Sequence, residues 1–506
     1  MEMNLLKRNV IANFSGNVWI VIMSLAFIPL YIHFIGIEAY GLLGVFATLQ
    51  ALFGLLDMGL SATLSREVAR LSVVPNKAHE MRDLVRTLEV IYWGVAVLLG
   101  VGVTLLAPLI ANHWVQAKNL APDTIRQAII IMGIAIAFQW PIGFYSGGLL
   151  GLQRQVLFNA VTVGIATLRG AGAVLLLWLV SPTVQAFFVW QVFISASNVL
   201  LVYWFLWRSM PRSESAPRWR MDLLRGNLRF AAGMNGITLT VIMLTQTDKV
   251  ILSRMLSLEM FGYYTLAGAV SGTLCRFYSP VFTALYPRFT QLVALGDQDE
   301  LKRLYHQGCQ VISVLIIPPA IVLALFSREI LFLWTQNPIT ADQAAPLVSL
   351  LILGTLFNGF MNLPYALQLA HGWTKLAFYT NILAVLLLVP LMILLVQIYG
   401  AVGAALTWMA LNAGYVLIAV HVMHRRLLPD EKWRWYIDDI ARPFLWCVVA
   451  AAVFRGVVAV PTELLMQLIY FFMISVAILG IAAMSTSATR TMMGSMIKDF
   501  ALSLRC

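Results

Sequence analysis

The sequence predicts an all-α polytopic membrane protein with about 14 transmembrane helices, arranged as two pseudo-symmetric six-helix lobes and a C-terminal helix pair. Three observations predict it. Of 506 residues, 60% are hydrophobic and only 11% charged, which leaves too little polar surface to cover a water-facing globule. Apolar stretches long enough to cross a bilayer, about 20 residues each, recur along the whole chain. And the segment Ile37-Glu38-Ala39-Tyr40-Gly41 returns 221 positions later as Leu258-Glu259-Met260-Phe261-Gly262, an offset that also pairs Arg8 with Arg229, Gly151 with Gly372, Arg154 with Lys375 and Phe158 with Tyr379. A duplicated, membrane-embedded chain is the usual plan of a transporter.

The spans follow from charge, proline and polar clusters that interrupt the apolar runs. In the first half they cover 10–34, 39–63, 84–107, 125–149, 156–179 and 184–206. The second half repeats them at 230–252, 261–287, 308–327, 344–369, 374–397 and 401–423, and an extra pair follows at 440–460 and 464–485. Lys7 and Arg8 precede the first run, which is longer than a signal-peptide core and lacks a small-residue cleavage site, so a retained first span is expected. The domain organisation is therefore an N-terminal lobe at 1–207, a cytoplasmic linker at 208–229, a C-terminal lobe at 230–426, and a final helix pair with its tail at 427–506. Pro211, Ser213, Ser215 and Pro217 mark the linker's first part as loop, and Met221-Asp222-Leu223-Leu224-Arg225 reads as a short interfacial helix.

With the N-terminal tail placed in the cytoplasm, 26 of the 34 Lys and Arg residues lie on inner segments and only Lys118, Arg126, Arg254, Arg328 and Arg455 on outer ones. The positive-inside rule then places both termini in the cytoplasm. The same distribution explains the net charge of +11 as topology plus attraction to anionic lipid heads, with no nucleic acid required. Cys275, Cys309, Cys447 and Cys506 have neither disulfide nor metal spacing. His421 and His424 lack further ligands, so no metal or other cofactor is expected. Gly143, Gly147, Gly148 and Gly151 suit close helix packing, since no Lys-Ser or Lys-Thr follows them as a phosphate loop requires. Trp19, Trp93, Trp114, Tyr31, Trp334 and Tyr399 read mostly as interfacial anchors, with a minority, which periodicity does not single out, left to stack on sugar rings inside a cavity.

Three cations remain inside spans. Arg169 lies near the centre of the fifth, Lys249 in the outer part of the seventh beside Asp248, and Arg276 near the middle of the eighth. Facing lipid, each would cost at least about 2.5–3.5 kcal/mol. A water-filled cavity is the cheaper setting, and a cavity with such an excess of cations selects an anion. Arg169, Lys249 and Arg276 are accordingly the candidate binding residues for an anionic head group. Otherwise they bond backbone carbonyls at broken helices. Asp248 is a candidate for gating or ion coupling, or a local stitch between helices. Asp57 is a second candidate for that role, although capping, or pairing with Arg66 or Arg70, is the plainer expectation. No catalytic constellation is present and the outer loops are short, which argues for movement over chemistry.

Several short motifs carry a family resemblance. They are Pro29-Leu30-Tyr31 with Gly36-Ile37-Glu38-Ala39-Tyr40-Gly41, Leu56-Asp57-Met58-Gly59-Leu60-Ser61 leading to Arg66, Gln246-Thr247-Asp248-Lys249, Gly262-Tyr263-Tyr264, and Tyr399-Gly400-Ala401-Val402-Gly403-Ala404-Ala405. In this order they resemble the polysaccharide transporter branch of the multidrug/oligosaccharidyl-lipid/polysaccharide exporter superfamily, which includes Wzx-type O-antigen and exopolysaccharide flippases. The resemblance covers essentially the whole chain. It implies a fold like that of the multidrug exporters of the superfamily. It also implies a cargo of undecaprenyl-pyrophosphate-linked oligosaccharide, moved from the inner to the outer leaflet of a bacterial inner membrane. A polysaccharide polymerase and a chain-length regulator are the partners it implies besides the lipid bilayer. Three alternatives stay open: a lipid II flippase of peptidoglycan synthesis, whose first span would bear arginines that 14–34 lacks; a drug or cation antiporter of the same superfamily; and a non-transporting scaffold or enzyme of envelope-glycan assembly.

Overall fold

In the computed structural model the described residues are 16, 18–57, 59–72, 74, 75, 77–213, 215–221, 235–487 and 489–491. Nearly all of them are helical, and the single β pairing among them is a bridge between Gln116 and Ser257. Helical residues 18–26 lead into α1 (Ile28–Gly54). There follow α2 (Leu60–Ser72), α3 (Ala78–Leu109), α4 (Pro122–Gly151), α5 (Gln155–Leu179), α6 (Val184–Ser209) and α7 (Asn235–Met255). The chain continues through α8 (Leu258–Gly272), α9 (Cys275–Leu295), α10 (Gln298–Leu325), α11 (Ser327–Thr335), α12 (Pro338–Ala370), α13 (Thr374–Tyr399), α14 (Ala401–Gly414) and α15 (Val420–Leu427). A set of tight and wide turns over 429–441 precedes α16 (Arg442–Val457) and α17 (Leu464–Ser485).

Shifted by 221 residues, α3 falls on α10, α4 on α12, α5 on α13 and α6 on α14 with α15. The duplication read from short motifs is therefore carried by whole helices. Among the described residues, 11 helical stretches are long and apolar enough to cross a membrane. The other three expected spans, 10–34, 230–252 and 261–287, are partly outside the described residues or broken.

Two spans expected to be continuous are not. Span 39–63 ends as a helix at Gly54, turns once through Leu55–Asp57, and resumes as α2 after Gly59, whose φ of 73° is a left-handed value that glycine tolerates. Span 261–287 divides into α8 and α9 at Thr273 and Leu274. Pro280, one turn into α9, has no N–H to give to the carbonyl of Arg276 and crowds it, which bends the chain at this point. Hydropathy sums over a window and does not register such breaks. Conversely, 10–34 and 39–63 meet in α1, where Gly36 alone departs from helical geometry (φ 80°, ψ 161°).

By its contacts the chain divides into two compact units, Met1–Gly262 and Tyr263–Cys506. In the first, α2, α3, α4 and α6 share a core that includes Leu64, Leu88, Tyr92, Phe144 and Leu206. The glycines of α4 permit its approach to α2: a Cβ on Gly147 would lie 2.6 Å from the Ser61 carbonyl oxygen, and one on Gly151 2.4 Å from that of Ser65. The two copies of the repeated pentapeptide also meet within this unit. A Cβ on Gly41 would lie 2.3 Å from the carbonyl oxygen of Leu258, and one on Gly262 2.4 Å from that of Ile37. Each copy thus contributes the glycine that lets the other's backbone approach. Glu38 of the first copy, buried at 7% exposure, accepts hydrogen bonds from the backbone N–H of Lys118 (2.5 Å) and Asn119 (3.0 Å). Lys118 in turn reaches Glu259 of the second copy at 3.7 Å. The α3–α4 connection is held to α7 by Trp114 donating to Ser253 (3.0 Å) and to the start of α8 by the Leu258 N–H donating to the Gln116 carbonyl (2.7 Å).

The start of the linker is bonded to the first unit. Asp83 accepts from the N–H of Arg218 (2.8 Å), Thr87 from that of Arg220 (2.9 Å), and Arg82 donates to the Pro211 carbonyl (2.8 Å). The amphipathic helix expected there lies, beyond Met221, outside the described residues. In the second unit α10, α12, α16 and α17 enclose a core that includes Tyr305, Ile316, Leu356, Cys447, Phe471 and Ile478.

Candidate functional site

The apolar helix α5 carries Arg169 fifteen residues from its start, so its guanidinium is carried deep into the membrane-spanning part of the first unit. The side chain is half-buried and its Nε is buried without a hydrogen-bond partner. It lines a cavity of about 340 Å³ together with Ile20, Met23, Ser24, Tyr31, Thr162, Ile165, Ala166, Gly170 and Asn198. The helical segment 18–26, α1, α5 and α6 supply these walls. No carboxylate is among them. A half-buried cation with an unmet N–H, in a mostly apolar lining that includes three hydroxyl side chains and one amide but no acid, is suited to an anion carrying hydroxylated groups. The volume is at the small end for ligand pockets, which run from about 300 Å³ upward, and so fits part of a head group rather than a whole oligosaccharide.

Tyr31 is one of the minority of aromatics left for a cavity wall, with its hydroxyl 3.5 Å from the Gly170 carbonyl and its ring edge-on to Phe187 at 5.1 Å. Trp93 likewise turns inward, donating to Tyr145 at 3.0 Å. Tyr399 and Trp19 remain exposed, although Trp19 donates to Thr167 of α5 at 2.8 Å. Asn198, Thr162 and Ser24 were missed because single polar residues on separate helical segments leave no sequence signal; only Thr162, two turns from Arg169, and Ser24, two turns from Tyr31, have a spacing that hints at it.

The remaining candidates lie elsewhere. Asp248 and Lys249 are adjacent, half-buried residues of α7, and Lys249 donates to Gln246 at 3.3 Å one turn back. Neither borders the Arg169 cavity. Arg276 belongs to the second unit and sits exposed in the first turn of α9, just past the break after α8. The N–H groups at this break bond three residues back, Arg276 to Thr273 at 2.9 Å and Phe277 to Leu274 at 3.1 Å. Any pull on an anion here therefore comes from the guanidinium rather than from open helix-end donors.

Asp57 ends the single turn between α1 and α2. Its Oδ1 accepts from the hydroxyls of Ser61 and Tyr92, both at 2.5 Å, and its Oδ2 lies 3.4 Å from the Ser61 N–H. Arg66 and Arg70 instead pair with Glu67, at 2.8 and 2.6 Å. Tyr92 is held in place by rings on either side, Trp140 and Phe144, each 4.6 Å away. Among the described residues no group of His, Cys, Asp or Glu has metal-site geometry. His424 is buried beside Tyr305 at 3.3 Å.

Comparison with known proteins agrees with this architecture. The chain is 19% identical over 390 residues, 77% of its own length and 90% of the relative's, to a Shigella flexneri protein provisionally named as an O-antigen transporter. It is 23% identical over 219 residues, 43% of its length and 44% of the relative's, to the lipopolysaccharide biosynthesis protein WzxC of Escherichia coli strain K12. Among solved structures it is similar in fold to the lipid II flippase MurJ in an inward closed conformation, with a TM-score of 0.68 at 13% identity over 93% of this chain and 97% of that one. The MATE multidrug transporter DinF-BH follows with a TM-score of 0.61 at 15% identity over 84% and 95%. A MatE profile matches residues 237–394. The profile described as polysaccharide biosynthesis protein matches residues 6–293, more than half of the chain, and the chain belongs to that family.

Proposed function

We propose that the protein is a flippase, a transporter and not an enzyme, that moves a lipid-linked oligosaccharide between membrane leaflets for surface polysaccharide synthesis. The single observation that carries the site is the Arg169 cavity, with its buried unmet N–H, the few hydroxyl and amide groups in its mostly apolar lining, and its lack of any lining acid. An undecaprenyl-pyrophosphate-linked repeat unit matches it: the pyrophosphate suits Arg169, the sugar hydroxyls suit Asn198, Thr162 and Ser24, and the long tail stays in lipid. The names of the two relatives, one for O-antigen transport and one for lipopolysaccharide biosynthesis, support the cargo class. Transport proceeds by alternating access, with Lys249 and Arg276 as further contacts for the anionic head group. Asp248 and Asp57 act in gating or ion coupling, where a change of protonation weakens the hold on the cargo. The protein resides in the bacterial inner membrane with both termini in the cytoplasm, and hands its cargo to a polymerase and chain-length regulator.

The test is genetic and chemical. Deletion is expected to remove surface polysaccharide and to accumulate lipid-linked repeat units on the inner face; an enzyme defect would instead block their synthesis, and a lipid II flippase would accumulate lipid II. In the deletion strain, Arg169→Gln is expected to lower surface polysaccharide at least about tenfold at unchanged protein level, since a charge-assisted contact is worth about 1.5–3 kcal/mol. Arg169→Lys should restore part of it. Full activity of Arg169→Gln removes the cavity from the mechanism.

A further inference from the structure

The second unit contains a charged cluster that the transport site does not use. His306, two turns into α10, is 2% exposed, and both of its ring nitrogens face carboxylates. Nδ1 lies 2.5 Å from Oδ2 of Asp439, which is fully buried, and Nε2 lies 3.0 Å from Oε2 of Glu431. Each gap is a hydrogen bond only if it contains a proton, and a neutral imidazole has one N–H to offer. For both gaps to be hydrogen bonds, the triad must hold two bridging protons, whichever atoms they reside on.

The surroundings are built to keep this charge. Gln310 donates to the other oxygen of Asp439 at 2.8 Å, and Ser487 donates to Gln310 at 3.3 Å. Lys302 and Arg434 lie 3.6 and 3.4 Å from the Glu431 carboxylate, at its half-exposed edge. The ring of Tyr305 stands edge-on to His306 at 5.4 Å and its hydroxyl meets His424 of α15. Asp438 is turned away toward Arg442 at 3.5 Å. The triad thus joins α10 to the segment that leads into α16, whose apolar face, through Cys447 and Ala451, shares a core with α10 and α17.

We propose that His306, Asp439 and Glu431 form a proton-binding site that fastens the C-terminal helix pair α16–α17 to α10. Loss of one bridging proton leaves a nitrogen lone pair opposite a buried carboxylate, which is repulsive and unsolvated. The attached state binds more protons than the detached one, so attachment is full at lower pH and is lost as pH rises. The site is independent of the Arg169 cavity and of the cargo.

The test is hydrogen–deuterium exchange of the full-length protein in lipid nanodiscs, read on peptides covering 442–457 and corrected for intrinsic exchange. Between about pH 6 and about pH 10 the wild type is expected to lose about tenfold or more of its protection, the scale of one charge-assisted hydrogen bond. His306→Gln, which can donate to one carboxylate only and does not titrate, should exchange faster at the lower pH and show a flat profile. A flat wild-type profile, or an unchanged slope in His306→Gln, overturns the proposal. Should that variant fail to fold, Glu431→Gln removes one carboxylate at the exposed edge: a profile displaced to lower pH supports the site, and an undisplaced one overturns it.

Discussion

Arg169 and Asp57 are both charged side chains in apolar surroundings, and they differ in how their polar atoms are met. Asp57 is satisfied from within, by two hydroxyls and a backbone N–H, whereas the Nε of Arg169 is not. Asp57→Ala would leave the buried hydroxyl of Tyr92 with only Ser61 as partner. A loss of about 1–3 kcal/mol in stability is expected, measured as lower resistance to thermal unfolding in detergent. Asp57→Asn keeps an acceptor, so it should retain most stability; if it also retains full transport, Asp57 has no part in gating. The sequence marked Arg169 as costly in mid-span and gave Asp57 capping or local pairing as its plainer role, but it could not name the groups around either. The neighbours that decide the matter are distant in sequence: Tyr92, which bonds Asp57, lies 35 positions away, and Asn198, which lines the Arg169 cavity, lies on a different helix.

At the scale of elements, the repeated pentapeptide shows how small residues set helix contacts. Gly41 and Gly262 each lie where a side chain would meet the other copy's backbone, which cannot move aside as a flexible side chain can. Gly262→Val is therefore expected to destabilise the protein by about 1–3 kcal/mol or more, whereas the same change at Gly268, where nothing lies within 4 Å of a built Cβ, should be close to neutral. Comparing the two variants by thermal unfolding checks the claim. The spans themselves were legible, since a run of apolar residues has the same meaning wherever it folds. The breaks at Leu55–Asp57 and Thr273–Leu274 were not. They depend on single Gly and Pro residues whose effect hydropathy averages away, and one of them places Arg276 in the first turn of a new helix rather than in the middle of an old one.

For the whole molecule, the excess of Lys and Arg on one set of loops leads to a further expectation: both chain ends face the cytoplasm. Cysteine residues introduced at each terminus should react with a membrane-impermeant thiol reagent only after the cells are permeabilised; labelling of intact cells refutes the topology. Composition alone determined that this chain belongs in a bilayer, and the 221-residue offset determined that it is a duplication, because hydropathy and repetition are read along the chain and do not depend on its path in space. The charges inside the expected spans break that repetition. Asp248, Lys249 and Arg276 correspond to Phe27, Ile28 and Leu55, and Arg169 to Pro390. Sequence thus identified which residues are exceptional. Only the tertiary structure decided what surrounds each of them, that Arg169 lines a cavity, and that His306, which no sequence signal marked, lies between two carboxylates, because a buried side chain's role is set by neighbours that only folding brings within hydrogen-bonding reach.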